Sequence, residues 1–120
     1  MAEKVKSTDF LGKIVTVKMD RPIGSRHPKH NFVYPINYGF IPNTISGDGE
    51  ELDAYVIGPT VPLDEFTGRC CAVIHRTNDD DDKLIVVPKE HKDPDDKTIN
   101  ETTNFQEKYY THIILRQKQR

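Results

Sequence analysis

The chain has 120 residues, 35% of them hydrophobic, and a formal net charge of −2. That length suits one small domain with a modest core. The near-balanced charge argues against nucleic acid as a partner, and no apolar run is long enough to span a bilayer.

The N-terminus, MAEKVKSTDF, lacks the apolar centre of a signal peptide, so the expected location is cytoplasmic, with no membrane partner. Lys13–Met19 alternates apolar and polar residues and reads as a strand. Asp20–Pro28 is broken by two prolines and a glycine and reads as a loop. Asn31–Tyr34 and Tyr38–Ile41 read as short strands split by Pro35, and Asn43–Gly49 as a turn. Leu52–Gly58 is a strand with Leu52, Ala54 and Val56 on one face and Tyr55 and Ile57 on the other. Gly58–Gly68 reads as a loop, then Arg69–His75 and Lys83–Val87 as apolar strands, the last ended by Pro88. Cys70 and Cys71 are adjacent and point to opposite strand faces, which predicts one buried and one partly exposed thiol and no disulfide.

Lys89–Lys97 is charged and expected to be exposed. Phe105, Tyr109 and Ile113 then fall four residues apart, a helical stripe. Thr102, Thr103, Asn100 or Thr98 would cap that helix, and Arg116, Lys118 and Arg120 would suit its C-terminal end. The expected fold is mainly β (α+β): a small barrel with a helix packed outside. It forms a single domain, with the barrel over about 13–88 and the helix over about 100–117.

The chemistry is concentrated in two acidic groups. In Asp48-Gly49-Glu50-Glu51-Leu52-Asp53 the glycine permits a sharp turn, and Asp48, Glu50 and Asp53 offer oxygen ligands of the kind Mg²⁺ takes. Taken alone, this hexapeptide reads as a solvated acidic turn, and its spacing is not that of an EF-hand. The run Asp79–Asp82 is also bland alone, but it leads through Lys83 into an apolar strand, so its last members are fixed by a rigid element. A cation beside such carboxylates can hold a phosphate, which points to metal-assisted phosphoryl chemistry. Arg21, Arg26 and Lys29 could close over an anion, while His27 and His30 lack a third ligand nearby. No GxSxG elbow or GxxxxGK loop is present.

The stretch YPINYGFIPNT, followed by DGEELD and by Asp81-Asp82-Lys83-Leu84-Ile85-Val86-Val87-Pro88, resembles the soluble family I inorganic pyrophosphatases. The match runs in order over roughly Ile14–Pro88, with a weaker echo at Phe105–Tyr110. The resemblance implies an OB-like five-stranded β-barrel with helices outside, and Mg²⁺-dependent hydrolysis of pyrophosphate to two phosphates in the cytosol. It implies metal ligands at Asp48, Glu50, Asp53 and Asp81, with Glu50 also accepting the proton of the attacking water. A further late ligand falls at Asn78, Asp79 or Asp80, with Asp79 taken here. Lys83, Arg26, Tyr38 and Tyr109 would bind phosphate.

Several positions depart from the family pattern. Glu50 replaces an aspartate and Glu51 a proline. Lys18 stands where the first strand of the family has a glutamate. A hairpin bearing a phosphate-binding arginine is missing between His30 and Phe32, and the late Tyr-Lys pair reads Tyr109-Tyr110. The chain is also shorter than usual bacterial members. These departures thin the phosphate-clamping side and leave two alternatives: a hydrolase of another phosphoanhydride, or a catalytically silent metal- and phosphate-binding protein. Mn²⁺ is the alternative cofactor, and a homo-oligomer is compatible with the sequence.

Overall fold

The computed structural model describes residues 3–47, 49–78 and 81–117. Its strands are β1 (Glu3–Lys4), β2 (Ile14–Arg21), β3 (Asn37–Ile41), β4 (Thr44–Ile45), β5 (Leu52–Val56), β6 (Glu65–Arg76) and β7 (Asp82–Val87). Helix α1 (Asp96–Glu107) and strand β8 (His112–Leu115) follow. The main sheet runs β2-β3-β5-β7-β6-β8, and β2 also pairs with β6. That extra pairing closes five strands into a barrel of mixed direction, with β5 and β7 parallel. β8 is appended outside the ring, antiparallel to the last part of β6. A mainly β, five-stranded barrel with one helix near the C-terminus is thus the architecture.

Strand alternation separates two cores. Val15, Val17, Leu52, Ala54, Val56, Cys70, Val73, Leu84 and Val86 fill the barrel. Tyr34, Tyr38, Tyr55, Cys71, Ala72, Ile74, Ile85 and Val87 pack on the outer face with Ile99 of α1. The two faces expected for Leu52–Gly58 are therefore observed, with the strand ending at Val56. A register shift between Cys70 and Ala72 breaks the alternation in β6. It sends Cys70 into the barrel and Cys71 to the outer core. Both thiols are buried, which corrects the expectation of one partly exposed, and burial pushes them to about 12 and about 11.

Other boundaries differ from the sequence reading. Asn31–Tyr34 is no strand; Val33 makes a single bridge to Arg26. Glu65–Gly68 begins β6 instead of ending a loop, because it pairs along β2 and closes the barrel. Within the supposed turn 43–49, Thr44–Ile45 pairs parallel with β1.

The largest correction concerns the helix, expected over about 100–117 and found at Asp96–Glu107. Its N-cap is Asp95, whose side chain accepts a hydrogen bond from the Thr98 amide at 2.8 Å. Ile99, Thr103, Gln106 and Glu107 form the buried face. Tyr109 lies in the turn that follows, and Ile113 sits half exposed on β8. Arg116 does not terminate the helix; it reaches back to the Pro94 carbonyl and Asp96 at its start. Lys118 and Arg120 lie outside the described residues. Among the described residues no helix is long and apolar enough to cross a membrane, which says nothing of strands.

Candidate active site

Asp53 and Lys83 are register partners in the parallel β5–β7 pair, so their side chains leave the sheet on the same, outer face. Tyr38 reaches that face from β3, and Arg76 from the end of β6. Asp81 immediately precedes β7. β2 contributes Asp20 and Arg21 where its register shifts, between Met19 and Arg21. α1 and the turn after it cover the face with Gln106, Tyr109 and Tyr110, and the loop after β2 adds His27, Pro28 and His30. Together they enclose a cavity of about 260 Å³.

Lys83 is 2% exposed, and its Nζ donates to Asp53 Oδ2 at 2.6 Å and Asp81 Oδ2 at 2.8 Å. Burial works against the Lys83 charge, yet the two carboxylates outweigh it and raise the ammonium pKa. Tyr38 Oη donates to the same Asp53 oxygen at 2.8 Å. Burial and then the Asp53 charge hold that phenol well above its ordinary pKa, so it acts as a donor. Burial likewise raises the Asp81 carboxyl, against the pull of Lys83.

Arg76 ties this cluster to the helix. Nη1 donates to Asp81 Oδ2 at 3.0 Å, while Nε and Nη2 form a fork on Glu107 at 3.0 and 2.8 Å. Its guanidinium lies 3.6 Å from the centre of the Tyr110 ring. Tyr55 Oη also donates to Glu107, at 2.6 Å, and Gln106 bridges Tyr55 and Tyr34. At the rim, the His30 and Tyr109 rings stack with centroids 4.7 Å apart.

Of the residues singled out in the sequence, the structure brings Asp53, Asp81, Lys83, Tyr38 and Tyr109 to one pocket. Arg26 is not among its described walls; its guanidinium turns to the Asn31 side chain at 2.7 Å. Glu50 is exposed in the turn before β5, where its carbonyl accepts from Ser46, and it is also absent from the described walls. Asp48 and Asp79 lie outside the described residues. Asn78 is exposed. Sequence reasoning missed Asp20, Arg76, Glu107 and Gln106. Lys18, read as the counterpart of an acidic residue, is exposed, and the acidic group from β2 at the pocket is Asp20. The available signal was its place at the strand's end, just before Arg21-Pro22.

A family model described as inorganic pyrophosphatase matches residues 7–115. The chain belongs to the inorganic pyrophosphatase family. It is 32% identical over 102 residues to the inorganic pyrophosphatase of Saccharolobus solfataricus, covering 82% of this chain and 56% of that relative. Against the enzyme so named from Aeropyrum pernix the identity is 37% over 90 residues, covering 72% and 48%. The chain thus spans about half the length of the curated relatives it matches. The crystal structure of inorganic pyrophosphatase from Ehrlichia chaffeensis shares the fold, with a TM-score of 0.65 at 23% identity over 90% of this chain and 88% of that one.

The family is typically Mg²⁺-dependent, so the donor set must be tested against that ion. Among the described residues no three acidic, His or Cys side chains converge as a ligand group. The pocket nevertheless holds carboxylate oxygens, which Mg²⁺ takes singly or in pairs beside substrate phosphates and water. Among the described residues the hydrogen bonds to the Asp53 carboxylate go to Oδ2. Burial, with the Asp53 charge adding to it, raises the Asp20 carboxyl above its usual range despite Arg21. Two acidic groups that repel each other across a polar pocket fit a hard cation placed between them.

Proposed function

We propose that this protein hydrolyses inorganic pyrophosphate to two phosphates with Mg²⁺, or Mn²⁺ in its place. The observation that supports this most is the buried Lys83 ammonium, fixed by Asp53 and Asp81 in a pocket that Tyr38 also enters. A cation that is itself buried and fixed stabilises developing phosphate charge more than a solvated one does. Asp53 and Asp20 are the residues that would hold the metal, and Asp48, five residues ahead of Asp53 in the sequence, keeps its proposed place as a further ligand. When bound, the ion would lower the pKa of a water and neutralise phosphate oxygens.

The chain's own groups would do the rest. Lys83 and Arg21 draw the anionic substrate to the cavity. Tyr38 orients the Asp53 carboxylate through its hydrogen bond. Tyr109, stacked on His30 at the rim, offers its hydroxyl to phosphate. Glu50, three residues ahead of Asp53, is the proposed proton acceptor. Its exposed position makes Glu50→Gln a necessary companion to any Asp53 variant.

The test is phosphate release from pyrophosphate by the purified chain, with Mg²⁺ and with chelator. Asp53→Ala should cost about 10²–10³-fold in kcat, as loss of a preorganised electrostatic group does. Wild-type turnover in Asp53→Ala would remove the assignment. A second reading, a metal- and phosphate-binding protein without turnover, is favoured by the exposed position of Glu50, the proposed proton acceptor, outside the described walls of the pocket. It predicts bound Mg²⁺ and no release of phosphate. A hydrolase of another phosphoanhydride would instead release phosphate from a larger substrate and not from pyrophosphate.

A further inference from the structure

Arg76 is a permanent charge that cannot withdraw from the pocket. It is 4% exposed, forked on Glu107, and seated against Tyr110. A guanidinium does not deprotonate in a protein. Its Nη1 and the Lys83 Nζ converge on the same oxygen, Asp81 Oδ2, at 3.0 and 2.8 Å. A divalent ion bonded to that oxygen at about 2.1 Å would stand no more than about 5 Å from the guanidinium nitrogen. It would have to displace Lys83 and be repelled by a group with nowhere to go. Asp53 differs. Its Oδ2 accepts one cation and one neutral hydroxyl, and its Oδ1 has no hydrogen-bond partner among the described residues.

We infer that Arg76 is a built-in cation that holds Asp81 as an ion pair and confines divalent-metal binding to the Asp20–Asp53 side of the pocket. Asp81 then positions Lys83 and Arg76 and does not ligate metal. The inference rests on the metal-dependent reading proposed above and changes the number of ions that the site takes.

The experiment is a Mn²⁺ titration of the full chain, read by the electron paramagnetic resonance of free Mn²⁺, with no substrate present. Asp53→Asn should weaken binding by at least about tenfold, since even outer partners of a ligand carry that much. Asp81→Asn should leave the wild-type affinity and stoichiometry within about twofold. Arg76→Met, combined with Glu107→Gln so that no buried charge is orphaned, should add a second Mn²⁺ that Asp81→Asn removes again. Equal loss in Asp81→Asn and Asp53→Asn overturns the inference while leaving the metal reading standing. No Mn²⁺ bound by the wild type overturns both. If the Arg76 pair of substitutions does not fold by circular dichroism, the comparison of Asp81→Asn with Asp53→Asn decides alone.

Discussion

Glu107 is 1% exposed and still ionised. Burial pushes its carboxyl up, but hydrogen bonds from Arg76 and Tyr55 outweigh that and leave the pKa lowered. The unfolded chain therefore holds the Glu107 proton more readily than the folded one. The resulting stability is present above the unfolded value, about 4.3, and is lost as the pH falls through the lower folded value. Glu107→Gln should cost about 3 kcal/mol at pH 7, because it removes the forked, buried carboxylate from Arg76 and leaves Asp81 as the charged partner. Urea unfolding should also show a flatter decline below about pH 4 in the variant than in the wild type. Identical acid profiles would mean that Glu107 carries no such linkage. At this scale the sequence was partly legible. Asp53 and Lys83 could be read because each sits at the start of an apolar strand, where alternation fixes its face. Arg76 could not, since it precedes an acidic run and looks like surface charge until Glu107 is placed opposite it. Asp20 was hidden by the register shift at the end of β2, which interrupts the alternation that the reading relied on.

Gly39 shows what the Tyr-Gly-Phe segment does for β3. A Cβ at this position would lie 2.0 Å from the Lys18 carbonyl oxygen of β2, a backbone atom that cannot rotate away. The neighbouring Tyr38 must keep its register to reach Asp53, so the close approach serves the pocket as well as the barrel. Gly39→Ala should destabilise the fold by about 1–3 kcal/mol or more, as overpacking does, and should lower the urea midpoint without altering its slope. An unchanged midpoint would show that β2 and β3 part at little cost. The strands read closely are β2, from its apolar–polar alternation, β5, from its two faces, and β7, from its apolar run buried on both faces. The helix was misplaced for an identifiable reason. Its true start, Asp93-Pro94-Asp95-Asp96, resembles an exposed charged loop, although Asp95 caps it. The four-residue spacing that extended the helix to Ile113 bridges two different elements. Thr111-His112-Ile113-Ile114-Leu115 is rich in β-branched and apolar residues, and the open edge of β6 pairs with its last four, which form β8.

The two cores and the pocket are built from the same strands. β5, β6 and β7 each send alternate residues into the barrel and to the outer face, and Asp53, Lys83 and Arg76 stand on that outer face beside Tyr55, Ile85 and Ile74. Opening the pocket floor therefore means opening both cores. By contrast, among the described residues β8 pairs with β6 alone, and β1 and β4 form a separate two-residue ladder. Hydrogen exchange should reflect this difference, since protection follows the free energy of the smallest opening that frees an amide. Amides of Ala54–Val56 and Leu84–Val87 should exchange only by global unfolding, while those of β8 and β1 should exchange faster through local opening. Lys83→Met should lower protection in β5, β7 and α1 together, because its ammonium links Asp53 to Asp81 and, through Arg76, to Glu107. β8 should be nearly unaffected. If α1 alone loses protection in that variant, the helix is a separate cooperative unit, and the charged network bridges it to the barrel without joining the two.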